Sequence, residues 1–61
     1  MKKAVLEKLV GKPVKVDLKT NFVLNGVINA VFDDCIEFET KQETSYIDFD
    51  MIGQVRLLRK K

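Results

Sequence analysis

The residue that most limits what this chain can fold into is Gly26, which stands inside its longest strand-like stretch. Across residues 22–32 the hydrophobic pattern has a period of two, with Phe22, Leu24, Gly26 and Ile28 on one face. Glycine weakens a strand interior, and where it occurs it marks a sharp bend or a close approach of another backbone. A strand bent at its middle does not belong in a flat sheet, so its neighbours must curl with it.

Those neighbours are legible on either side. In residues 3–10 the apolar positions Val5, Leu6, Leu9 and Val10 recur at helical spacing, and Gly11 with Pro13 is a helix stop. A helix this short does not persist alone, so its apolar stripe must rest on something else. From Pro13 the period becomes two: Val14, Val16 and Leu18 alternate with Lys15, Asp17 and Lys19, giving a strand over 13–20. Thr20-Asn21 turns the chain into the long strand, 22–32, because Asn tolerates the left-handed conformation. After Asp33-Asp34 comes a strand over 35–40 with Ile36 and Phe38 inward and Glu37 and Glu39 outward. The polar loop Lys41-Gln42-Glu43 leads to a strand over 44–49 carrying Ile47 and Phe49. Asp50-Met51-Ile52-Gly53 reads as one tight turn before a last strand over 54–58 with Val55 and Leu57.

A leading helix and five short strands, one of them bent, predict a mainly β fold: a strongly bent antiparallel small barrel occupying residues 1–61 as one domain. A chain of 61 residues buries only about 60% of the surface its unfolded form exposes, so it is marginal by itself. The single Cys35 closes no intrachain disulfide, and with no histidine there is no ligand set for a structural zinc. Oligomerisation is the remaining stabiliser available to so small a scaffold.

Small barrels of this description include SH3-like and Sm-like ones, and the leading helix and long second strand favour the latter. The segment Pro13-Val14-Lys15-Val16-Asp17-Leu18 followed by Phe22-Val23-Leu24-Asn25-Gly26-Val27-Ile28 resembles, without a gap, the first motif of the Sm-like (LSm) family, particularly its bacterial RNA-chaperone branch, Hfq. Phe32-Asp33 resembles the aromatic-Asp pair that ends this strand in the family, one residue late, and Ile52-Gly53-Gln54-Val55 resembles the Ile-x-x-Val close of the second motif. The resemblance runs from Val5 to Leu58. It implies an RNA-binding protein without catalytic activity, assembled as a ring of six or seven copies in which the fourth strand of one subunit pairs with the fifth of the next.

The family's RNA-binding signature does not carry over. Where Hfq has a Tyr-Lys-His pore motif and other Sm proteins have Arg-Gly, this chain has Asp48, Phe49 and Asp50. With Asp33 and Asp34 from the neighbouring loop, a ring would line its pore with repeated carboxylates, which repel RNA phosphates. The base-stacking aromatic falls on Asp34 or Cys35, and lysines replace the Gln-Asp pair of the Hfq helix. Such carboxylates suit a hard divalent cation, and they are equally ordinary turn-forming residues in water. On this reading no metal or cofactor is assigned.

Charge is unevenly distributed. Residues 1–21 hold six lysines against Glu7 and Asp17, residues 33–50 hold seven acids against Lys41, and the chain ends basic. Lys2, Lys3, Lys8 and Lys12 near the helix and Arg56, Arg59, Lys60 and Lys61 in the tail are the residues suited to RNA phosphates. Repeated around a ring they form a basic face or rim. The plainer account is that charged termini keep a small protein dissolved. Two functional readings follow: an Sm-like RNA-binding ring that contacts RNA through this basic face, and a noncatalytic structural or protein-interaction module. Glu7 and Lys8 interrupt the apolar N-terminal stretch before it reaches signal-peptide length, no stretch is long enough to span a bilayer, and the lone thiol suits a reducing compartment. A cytoplasmic protein with no membrane partner is therefore expected.

Overall fold

The computed structural model describes residues 2–59. The order of elements is helix α1 (Lys3–Glu7), then strands β1 (Pro13–Leu18), β2 (Val23–Val31), β3 (Cys35–Glu39), β4 (Thr44–Asp48) and β5 (Ile52–Leu57), with a 3-10 turn at Phe49–Met51 between the last two. The strands form one antiparallel sheet in the order β4-β3-β2-β1-β5. This is the mainly β, bent five-stranded architecture that the sequence predicts. The Lys60 and Lys61 candidates lie outside the described residues.

β2 serves both halves of the sheet. Residues 23–27 pair with β1, and residues 27–31 pair with β3. At the changeover stands Gly26, where a Cβ would collide with the backbone carbonyl of Glu39 and come within 3.0 Å of the Phe38 ring. The absence of a side chain therefore lets β3 fold closely over β2. A bulge follows between Ile28 and Ala30, adding one residue and more twist to the strand. That extra residue equals in size the one-residue displacement of the Phe32-Asp33 pair.

The core forms on the concave side. Val14 and Val16 of β1, Ile28 of β2, Ile36 and Phe38 of β3 and Leu6 of α1 are fully buried, with Ile47 and Ile52 nearly so. Inward positions alternate with Lys15, Asp17, Glu37 and Glu39 facing out, as the two-residue period requires.

Four local expectations are corrected. The helix ends at Glu7, not residue 10, because the chain must descend to the sheet: Val10 forms a parallel bridge with Ile28, and Gly11 turns at a φ of 82° with its N–H on the Ile28 carbonyl at 2.8 Å. Phe22 does not share the inward face. It lies just before β2, beyond the left-handed Asn21, and is 69% exposed. Ile52 and Gly53 are not turn residues: the turn is the 3-10 segment, and β5 begins at buried Ile52, with Gly53 the extra residue of a bulge opposite Asp17 and Leu18. Last, the sheet does not close on itself, since β4 and β5 lie at its two edges and do not pair within the chain. The remaining strands end one or two residues inside the expected spans, where turn hydrogen bonds take over from the ladder.

Among the described residues no helix is long and apolar enough to cross a membrane.

Replacing Gly26 with Ala tests the close approach at the bend. In an ordinary strand this change is neutral or stabilising, whereas the collision with Glu39 predicts destabilisation of about 3 kcal/mol, measured by urea denaturation.

Candidate functional site

Two loops bring the acidic candidates together. The Phe32 N–H donates to the Cys35 carbonyl at 2.8 Å, closing the β2–β3 turn that presents Asp33 and Asp34. β4 ends opposite the start of β3, with Cys35 paired to Asp48, and the 3-10 turn follows. The Phe49 N–H then donates to the Asp34 carbonyl at 2.9 Å, tying the two loops by backbone. All five pore-loop candidates, Asp33, Asp34, Asp48, Phe49 and Asp50, line one open concavity of about 360 Å³. The aspartates are exposed and Phe49 packs partly against the core.

Lys3 of α1 reaches this concavity directly, donating from Nζ to Asp33 Oδ1 at 2.9 Å. Accepting that hydrogen bond holds the Asp33 carboxyl below its usual pKa, and the same contact raises that of Lys3. Cys35 lies half-exposed on the outer side of the strand. Desolvation first, and then the nearby Asp34 carboxylate, push its thiol above the ordinary value, so it is a weak nucleophile at neutral pH. Among the described residues no three acidic or thiol groups converge to hold a metal ion.

The basic candidates are dispersed. Lys2 and Lys3 lie at the start of α1, with Lys3 engaged by Asp33. Lys8 is exposed in the turn after the helix, and Lys12 is exposed just before β1. The Leu58 N–H donates to the Pro13 carbonyl at 3.0 Å, so the end of β5 lies against the start of β1, and Arg59, just beyond it, is exposed. Arg56 is elsewhere, on the outer face of β5, where one guanidinium nitrogen contacts both Asp17 oxygens at 3.0 and 3.1 Å. A single copy thus divides its basic residues between the two ends of the N-terminal segment and the outer sheet face.

The overall geometry has a known counterpart. Superposition on a crystal structure of the pleiotropic translational regulator Hfq gives a TM-score of 0.81, covering 90% of this chain and 86% of that one at 18% sequence identity. The chain has the fold of Hfq. No family model and no curated protein matches the sequence. On this fold the four aspartates and Phe49 form an acidic concavity at the β2–β3 and β4–β5 connections.

Sequence reasoning missed two parts of this arrangement. The Arg56–Asp17 and Lys3–Asp33 pairs join residues 39 and 30 positions apart: strand parity does not supply the β1–β5 register behind the first, and the second links a helix to a loop. A second, mostly apolar groove of about 360 Å³ lies between the Gly26 bend, Pro13 and the β3–β4 loop, with Leu58 on its wall. Its lining comes from segments far apart in the chain, which no local residue pattern brings together.

If Asp34 suppresses the thiolate of Cys35, Asp34→Asn raises the rate of iodoacetamide alkylation at pH 8 several-fold while leaving the fold unchanged. An unaltered rate contradicts the electrostatic assignment.

Proposed function

We propose that this protein is an Sm-like RNA-binding protein that acts as a homo-oligomeric ring in the cytoplasm, contacting RNA through basic residues of its helix-bearing face or rim. The observation that carries the reading is an Hfq-like sheet whose two edge strands, β4 and β5, are both left unpaired. An exposed strand edge is a template for another chain. Two different edges on one chain favour head-to-tail contacts that close into a ring, as the family resemblance implies.

RNA contact on this reading avoids the pore. Four exposed aspartates per copy repel phosphate there, and uridine recognition by the family's pore motif has no counterpart. Lys2, Lys8, Lys12 and Arg59 are exposed and outside the described ion pairs, so ring repetition multiplies them into a phosphate-binding surface. The protein is read as noncatalytic. A second reading, an assembly or protein-interaction module that binds no RNA, draws on the neutralisation of Lys3 and Arg56 by Asp33 and Asp17.

Electrophoretic mobility shift with oligo-U, oligo-A and a mixed-sequence RNA separates the two. The ring reading predicts binding at low salt with no oligo-U preference and a steep decline as salt rises. Lys8→Ala and Lys12→Ala each reduce the salt slope by about one for every phosphate they leave without a cation. No shift at low salt with any RNA leaves only the assembly module.

A further inference from the structure

Asn21, Asn25 and Asn29 recur along and just before β2, and they differ in the residue that follows each. Asn21 precedes Phe22 and Asn29 precedes Ala30, whereas Asn25 precedes Gly26. Deamidation of an asparagine begins when the backbone nitrogen of the next residue attacks the side-chain amide carbon, and a glycine has no side chain to obstruct that attack. The Asn25 side chain is available to react. It is exposed on the outer face opposite Lys15, and its amide has no hydrogen-bond partner among the described residues. The Asn29 amide, by contrast, donates to Glu39 Oε1 at 2.7 Å.

The fold withholds the attacking nitrogen. The Leu18 N–H donates to the Phe22 carbonyl at 2.8 Å, and hydrogen-bonded pairs alternate along an antiparallel ladder, so Val16–Leu24 and Val14–Gly26 are bonded pairs too. The Gly11 N–H on the Ile28 carbonyl continues that side of β2. The Gly26 N–H therefore faces Val14 across the ladder. Strand backbone has a ψ of about +135°, and closing a succinimide ring requires Asn25 to leave that extended conformation. Reaction thus waits on local opening, which in a chain this small is a low-cost event.

We propose that Asn25-Gly26 is a self-modification site that opening of the β1–β2 ladder switches on, turning a transient loss of the bend into a permanent one. In the opened segment the Gly26 nitrogen loses its proton to hydroxide and bonds to Asn25 Cγ, and the amide nitrogen leaves as ammonia. Water then opens the succinimide to aspartate or isoaspartate, with no change of oxidation state. Isoaspartate inserts an extra backbone carbon immediately before Gly26, where the Glu39 carbonyl leaves no room even for a Cβ. The pairing of β2 with β1 and β3 on either side of that point is then out of register.

Timed incubation of the full chain in mildly alkaline buffer, with and without denaturing urea, tests this by peptide mapping and mass spectrometry. In urea, where the fold plays no part, Asn25 is predicted to convert ahead of Asn21 and Asn29, and Gly26→Ala to slow it several-fold. In native buffer conversion is predicted to be at least about tenfold slower than in urea, because the population of the opened ladder sets the rate. Val16→Ala removes buried contacts from β1 without touching the reacting groups, and is predicted to raise the native rate toward that in urea. The isoaspartate form, isolated by chromatography, is predicted to unfold at a lower urea concentration than the original chain. Conversion of Asn21 or Asn29 before Asn25 in urea overturns the site. Equal rates with and without urea, or a native rate that Val16→Ala leaves unchanged while lowering the urea midpoint, overturn the gating. An isoaspartate form as stable as the original overturns the permanent loss of the bend.

Discussion

The close approach of Glu39 to Gly26 is the contact on which the rest of the molecule depends. Where β2 passes from β1 to β3, the carbonyl of Glu39 occupies space that any side chain would fill. The sheet can therefore coil tightly enough for eight apolar side chains, contributed by α1 and all five strands, to meet in one buried cluster. Five short strands in a flat sheet would leave that face in water. Leu6, fully buried at the helix, then seals the cluster, which explains why so short a helix is retained.

The same coil fixes what the molecule exposes. It stops short of closure, leaving β4 and β5 as edges, and it brings the β2–β3 and β4–β5 connections together so that four aspartates share one concavity. The Hfq-like fold therefore carries an acidic concavity at these connections. Function in a fold resides in the site it carries, so the scaffold supports RNA binding and ring assembly only as proposals, and the clustered carboxylates make this concavity unfavourable for phosphate.

Much of this was legible in the sequence, for reasons that differ by element. Two-residue alternation identified the inward faces of β1 and β3, because burial and side-chain direction share that period. Gly26 identified the bend, because only a backbone constraint explains a glycine inside so apolar a strand. Asp48, Phe49 and Asp50 were singled out by the family resemblance and Asp33 and Asp34 by their turn, and the five share one concavity. What escaped was set by tertiary context. Phe22 continues the alternation of β2, yet it lies past the turn where no core remains to receive it. Ile52 sits between turn-forming residues, yet a bulge at Gly53 returns it to the core. The Arg56–Asp17 pair depends on register, which hydrophobic pattern constrains only by parity, and the Lys3–Asp33 pair on how α1 lies beside the β2–β3 loop.

Amide hydrogen exchange of the full chain across a range of concentrations tests the central claim most directly. If β4 and β5 are templates for one another between copies, their amides facing away from β3 and β1 become protected as concentration rises, while protection in β2 changes little. Rapid exchange of those edge amides at every concentration would contradict the account, because it would mean that the edges left by the coil remain unpaired.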